Sequence, residues 1–501
     1  MNWLKKYRDE WFIFFVLLAC YSYFIPRWAN WSQNSRLDLV LAIVDDGTLS
    51  IDNYYQNTGD YFCFNQDTGE GGCDRGGSHY SDKAPGVAFL GAPIYAAARP
   101  ILRSAPVQRV LNRLAHSDAF GETLNEQGTG LKVDKLHSAI VLYLVTVVAV
   151  SIPSAVLGVL IFKFLGVFTQ HSAGRVGTAL LYGLATNAFP YSGAFYGHQI
   201  VAVLLFAAFY VAFLIGQKRI SIRWTVLVGF MLAYAIITEY PTALIVGAVF
   251  VYTLWILPNR RWAVGLVLSG ILPGLLMMAY DWAIFGNVLP LGYQYSELYK
   301  DNVHAQGFLS LVGPNVKAMW GITFGSFRGL FFVAPILLLA VPGFVAWWRE
   351  RQRRLEWGVC LWAVLAFFLF NGSSVMWHGA FSIGPRYLVP MLPFLAVGLG
   401  VFIVTWSARG WARLLMAVLG VWSFVVIWVE TLGGQRFPDW TPNPLFNYSL
   451  PKFIGGDIAR NLGMGIGLSG HLSLLPLLIV VAGLGALYFY ANRVIAREVS
   501  S

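Results

Sequence analysis

Leu136 to Phe162 reads LHSAIVLYLVTVVAVSIPSAVLGVLIF, 27 residues without an Asp, Glu, Lys or Arg. About 20 mostly apolar residues suffice to cross the hydrocarbon core of a bilayer. Eleven further runs of this kind are read outward from it: 11–28, 175–192, 198–215, 224–239, 241–257, 262–285, 330–348, 357–371, 387–406, 412–430 and 473–491. Composition points the same way. Apolar residues are 57% of the chain and charged ones 12%, where soluble domains carry about 25% charge. The fold expected is an all-α polytopic membrane protein, a transmembrane helix bundle of about twelve spans. The run from Trp11 to Trp28 follows Arg8 and Lys6, lacks a small-residue cleavage site, and is read as an uncleaved anchor.

The basic residues orient these spans. With the N-terminus inside, Lys218, Arg219 and Arg223, then Arg260 and Arg261, Arg349 to Arg354, Arg409 with Arg413, and the tail Arg493 and Arg497 all fall on one side. That is the positive-inside pattern. Both termini are therefore expected in the cytoplasm, and the net charge of +10 is a consequence of topology. Nucleic-acid binding is a poor reading, because the charges are split among short membrane loops. The expected organisation is residues 1–28 as N-terminus and first span, and 29–135 as a large extracytoplasmic loop. Residues 136–430 form the bundle, 431–472 a second extracytoplasmic loop, and 473–501 the last span and tail.

Polar chemistry is concentrated on the other face, above all in the 29–135 loop. Leu37, Val40, Leu41 and Val44 recur at helical spacing, with Gly47 as C-cap. The segment is read as a helix on the membrane surface, with Asp38 toward water or a cavity; Asp45 and Asp46 are equally accounted for as residues that solvate such a helix. His79 and Tyr80 open a second polar string, Ser81-Asp82-Lys83-Ala84-Pro85-Gly86. Pro85 suits a helix start. Lys83 would then lie beside free amides at a positive helix end, a favourable place for phosphate; Asp82 can equally cap that helix and Lys83 can bind lipid headgroups. Cys63 and Cys73 flank a short Gly-rich excursion in an oxidising compartment and are expected to form a disulfide, with a reduced pair or a metal site including Asp67 and His79 as alternatives.

Taken together, Asn34-Ser35-Arg36-Leu37 and Asp82-Lys83-Ala84-Pro85 resemble the two loop motifs of GT-C glycosyltransferases. The similarity is to the lipid-carrier-dependent branch of protein O-mannosyltransferases and lipid A aminoarabinose transferases. It implies a GT-C-like bundle with surface helices in its first loop. It also implies an inverting transfer of sugar from a polyprenyl-phosphate donor to a glycan, lipid or protein hydroxyl. The implied location is the bacterial inner (plasma) membrane, where membrane lipids are its other partners. The family's acidic pair lies two and three residues before the arginine, where this chain has Gln33 and Asn34. Asp38, the first external carboxylate, is the expected general base, with Asp46, Asp52 and Asp82 as alternatives.

Arg36, Lys83 and Arg386 are the expected cations for the leaving phosphate. Glu239 and Tyr240 at a span end, His198, and Trp377 with Tyr387 at a span entrance are the remaining candidate substrate residues; Trp377 and Tyr387 are also ordinary interface anchors. No residue set has convincing metal spacing, and no cofactor is expected. The absence of a Gly-Lys-Ser/Thr phosphate loop argues against nucleotide-sugar chemistry. The alternative reading is a transporter or flippase of lipid-linked glycans, which predicts repeated halves and broken midplane helices that the sequence lacks.

Overall fold

The computed structural model describes residues 7–28, 30–116, 135–288, 290, 292–299, 306–307, 310–438 and 440–500, with side chains through residue 494. Lys5 and Lys6 of the basic N-terminus, and 117–134 of the large loop, lie outside the described residues.

Helix covers most of each of the twelve apolar runs, 11–28 only as far as Ser22 and 175–192 as two helices, Ser172–Leu184 and Ala188–Ser192. Among the described residues, seven helices are long and apolar enough to cross a membrane: Leu136–Leu165, Gly197–Gly216, Arg261–Phe285, Arg354–Gly372, Arg386–Trp406, Gly410–Leu432 and Gly470–Val494. Ile222–Thr238, Tyr240–Ile256 and Pro335–Arg349 are shorter apolar helices. The protein is thus an integral membrane protein built as a helix bundle. Helices that build the site are labelled α1 (Arg8–Ser22), α2 (Trp31–Leu41), α3 (Gly86–Leu102), α4 (Leu136–Leu165), α5 (Gly197–Gly216), α6 (Ile222–Thr238), α7 (Tyr240–Ile256), α8 (Arg261–Phe285) and α9 (Arg386–Trp406).

Two apolar cores result. One lies inside the bundle, where α5 packs on α4, α6 and α7. The other joins the large loop to the spans. In it Leu37, Val40, Phe62, Val87 and Tyr95 meet Val141 of α4, Phe195, and Tyr280 and Ile284 of α8. Burying such side chains stabilises by roughly 1.5–3 kcal/mol each, so the loop is fastened to the bundle by its own core.

This second core corrects the expected surface helix. In α2 every residue except Trp31 is buried, and Asp38 is 0% exposed. The helix lies between α3, the strand Ser78–Ser81 and the loop turn at 55–57, because its Leu37, Leu39, Val40 and Leu41 face apolar neighbours on several sides. Gly47 does end the segment, in the left-handed conformation at φ 67°, after a π-helical turn over Ala42–Asp46.

The loop also holds a small sheet that helical periodicity did not suggest. Strands β1 (Tyr61–Asn65), β2 (Glu70–Gly71) and β3 (Ser78–Ser81) run antiparallel in the order β2-β1-β3, with Cys63 opposite His79 and Phe62 opposite Tyr80. A disulfide joins Cys63 to Cys73, their Cα atoms 4.9 Å apart. Bonded to each other, these cysteines leave His79 alone of the Cys63–Cys73–His79 group, the one potential metal-ligand group among the described residues.

A buried charged cluster where the loop meets three span ends

Arg36 enters the loop–bundle junction from one side of α2. Its guanidinium is 2% exposed and donates to Glu239 Oε1 at 2.8 Å and to the carbonyl and hydroxyl of Ser32 at 2.7 Å each. Glu239 sits between α6 and α7, and His198 Nδ1 at the start of α5 lies 3.5 Å from the same carboxylate oxygen. The approach depends on Gly197. A Cβ there would come within 2.3 Å of Glu239 Oε1, so a larger residue would displace the carboxylate. Breaking a buried pair of this kind costs roughly 3–5 kcal/mol, because the remaining charge is left desolvated.

Lys83 forms the second arm. Its Nζ lies 3.0 Å from Asp60 Oδ2 and 2.9 Å from Asp82 Oδ1. Asp82 also accepts a hydrogen bond from Ser296 at 2.7 Å. Burial alone would lower the lysine's pKa, but Asp60 and Asp82 raise it well above the ordinary value. Burial pushes Asp82 up, against the pull of Lys83. Ser35 fixes this arm to α2: its hydroxyl donates to the Asp60 carbonyl at 2.6 Å and lies 2.7 Å from Ser81 Oγ. Lys83 therefore points into a carboxylate pair instead of toward the amides that begin α3, where Gly86 packs against Thr238. Asp82 does not cap that helix; no side chain does.

Arg386, at the start of α9, forms the third arm and is built differently. It donates to the hydroxyls of Tyr196 at 3.3 Å and Tyr387 at 3.2 Å, and lies over both rings at 5.4 and 5.0 Å. Its Nε is buried without a hydrogen-bond partner, and no carboxylate pairs with it among the described residues. Tyr196 also receives Arg36 over its ring at 5.9 Å, which joins the arms. Tyr293 and Tyr299 each lie 5.9 Å from Lys83 Nζ, and Tyr240 meets Tyr293 ring to ring at 5.7 Å. The basic residues Lys218 and Arg409 follow the far ends of α5 and α9. The cluster and the basic turns thus occupy opposite ends of the same helices.

The structure brings together Arg36, Asp82, Lys83, His198, Glu239, Tyr240, Arg386 and Tyr387. Other candidates lie elsewhere. Asp38, two residues from Arg36, projects from another side of the helix. It accepts from Asn57 at 3.1 Å, its other oxygen has no hydrogen-bond partner among the described residues, and burial raises its pKa well above the ordinary range. Asp46 is exposed and accepts from Asn53 at 3.1 Å. Asp52 accepts from both the backbone N–H and the Nδ1 position of His79 at 2.8 Å; burial alone would raise its pKa, but hydrogen bonds from Ser50 and His79 hold it below the ordinary carboxylate value. Tyr80 packs on Phe62 at 5.5 Å. Trp377 packs over Gly321 and beside Phe327, in an aromatic group that includes Trp440.

Asp60, Tyr196, Tyr293 and Tyr299 were missed by sequence reading. The tyrosine density of Gly292-Tyr293-Gln294-Tyr295 through Tyr299 was the available clue; Asp60 had none, because nothing local ties it to Lys83. Gln33 and Asn34, which stand where the resembling family has carboxylates, both donate to backbone carbonyls: Gln33 to Arg27, Asn34 to Trp28 at 2.6 Å and Asn57 at 2.9 Å. A carboxylate has no proton to make those bonds.

No protein-family model and no curated protein matches the chain. Among solved structures it is similar to the crystal structure of ArnT from Cupriavidus metallidurans bound to undecaprenyl phosphate. The identity is 16%, 96% of this chain and 75% of that chain are covered, and the TM-score is 0.40.

Proposed function

We propose that the protein is an inverting glycosyltransferase that moves a sugar from a polyprenyl-phosphate donor to a hydroxyl acceptor at the extracytoplasmic face. The observation that carries this reading is the contrast inside the cluster. Three cations converge where the loop meets the span ends, two paired with carboxylates within 3.0 Å and one, Arg386, hydrogen-bonded to phenols with no carboxylate paired to it among the described residues. A desolvated guanidinium without a carboxylate is prepared for an incoming anion, and its fork suits phosphate oxygens.

In the reaction the acceptor O–H gives its proton to a carboxylate as its oxygen bonds the anomeric carbon. The bond from that carbon to the phosphate oxygen breaks, and the electron pair leaves on the lipid phosphate. Arg386 offsets the charge developing there, assisted by the fields of Lys83 and Arg36. Asp82 is the carboxylate taken as base: it lies inside the cluster, 2.9 Å from Lys83 Nζ, and burial raises its pKa above the ordinary carboxylate value. Asp60 and Lys83 hold it in place.

Mass spectrometry of cell-envelope glycans from a deletion strain tests the proposal. The expected result is loss of one sugar substituent, restored by the wild-type gene and not by Arg386→Gln. Unchanged glycans, or accumulation of intact lipid-linked glycans on the cytoplasmic side, would replace the transferase reading with the carrier alternative.

A further inference from the structure

Asp52, Asn53, Ser78 and Tyr80 do not touch the charged cluster, yet they share a place. With Ser50 and Gln66 they line a cavity of about 600 Å³ between the loop sheet and Ala283 near the end of α8. That volume lies within the range of small-molecule sites. Its walls are fixed in advance. Asp52 is held by the backbone and ring of His79, His79 stacks on Tyr55 with centroids 3.8 Å apart, and Asn53 is tied to Asp46. Gln66 donates to the Ala283 carbonyl at 2.8 Å. An ionised carboxylate beside two side-chain amides and serine hydroxyls offers acceptors and donors together, the complement of a surface of hydroxyl groups.

Along the chain the cavity adjoins the cluster: its Tyr80 lies two residues before Asp82. Side chains alternate along a strand, so Ser78 and Tyr80 share a face, and Asp82 continues that parity about 7 Å further on at roughly 3.3 Å per residue. Tyr280 of α8 lies near enough to Tyr80 and Asp82 for charge on either to act on its hydroxyl. Its hydroxyl is buried and has no hydrogen-bond partner among the described residues. A buried hydroxyl without a partner is costly and is relieved if a ligand hydroxyl arrives there.

We propose that this cavity is the acceptor subsite: it takes a hydroxyl-rich glycan and delivers the attacking hydroxyl past Tyr280 to Asp82. As an acceptor subsite it rests on the transferase reading; as a glycan site it does not. The probe is the oligosaccharide pool released by mild acid from the host's envelope, added to the purified full-length protein in detergent. Hydrogen exchange is read at residues 48–53 and 78–80. Protection is expected there, and its half-saturating concentration should rise about threefold to tenfold in Asn53→Ala, as for one lost neutral hydrogen bond. Ser78→Trp, which fills the cavity, should abolish protection while binding of a polyprenyl phosphate stays at the wild-type level.

Absence of protection in the wild type, or protection unaltered by both substitutions, overturns the subsite. If protection behaves as expected but deletion leaves the envelope glycans unchanged, the glycan site stands and the transferase reading falls.

Discussion

Lys83 and Arg386 are two cations of one cluster in opposite electrostatic conditions. Lys83 comes from the loop and meets two carboxylates at 2.9 and 3.0 Å. Arg386 comes from the bundle and meets two phenols. A cation already neutralised gains little from a further anion, whereas one surrounded by neutral acceptors still has most of its field to offer. Under the proposed function, the difference gives stability and base placement to the Lys83 side and anion binding to the Arg386 side. On that proposal the main phosphate contact is Arg386, whereas the sequence alone favoured Lys83.

The most severe way to break this contrast is Lys83→Ala. It leaves Asp60 and Asp82 facing each other in a buried site, and the folded protein should lose about 3–5 kcal/mol, measured by thermal unfolding in detergent. Lys83→Ala combined with Asp60→Asn should recover part of that loss. A single variant as stable as wild type, with donor affinity lowered instead, would return Lys83 to the role of phosphate ligand.

Arg386→Gln comes next. Loss of a charge-assisted hydrogen bond to phosphate costs about 1.5–3 kcal/mol, roughly tenfold to a hundredfold in polyprenyl-phosphate affinity. Thermal stability should change far less than in Lys83→Ala, and Arg386→Lys should recover only part of the affinity, because an ammonium lacks the fork. Unchanged donor binding would erase the distinction between the two arms.

A pH series sharpens the comparison further. Burial raises Asp82 above the ordinary carboxylate value of 3.8. Its folded form holds a proton that the unfolded chain has released, so its contribution to stability is present at low pH and declines as pH rises from about 3.8 through the raised value. Turnover should move the opposite way, rising across that window as the base becomes ionised. Asp82→Asn should remove both trends; a rising profile that persists in this variant would transfer the role of base to Asp60 or Glu239.

The smallest effect is expected from Asp38→Asn. Asp38 is buried away from the cluster and its pKa is raised, so it also opposes stability as pH rises above the ordinary carboxylate range. The amide removes that penalty, and turnover should stay near wild type. Abolished turnover in a folded, donor-binding Asp38→Asn protein would reinstate it as the base.

Much of the site was legible. Arg36, Asp82 and Lys83 stood out through their loop motifs and the helix start at Pro85, Glu239 as a carboxylate at a span end, and Arg386 as a cation beside aromatic residues at a span entrance. Asp38 shows where that reasoning stops. Its position two residues after Arg36 looked favourable, but on a helix that offset turns a side chain by about 200° at 3.6 residues per turn, so the two residues serve different surroundings. The sheet escaped notice because β1 spans only Tyr61–Asn65 and β2 only Glu70–Gly71, too short for a period-2 pattern to be distinguished from a loop.

The sequence by itself determined that this chain folds as a membrane helix bundle, because hydrocarbon admits only segments whose backbone polar groups are satisfied internally and that property is written in each apolar run. It also set the polar loop and the basic turns at alternating positions along the chain, which is why they are expected on opposite faces. Tertiary structure alone decided which charges pair. Arg36 and Glu239 are separated by 203 residues in the chain and by 2.8 Å in space. Electrostatic pairing depends on distance and desolvation in the folded molecule, and neither quantity has a local record in the sequence.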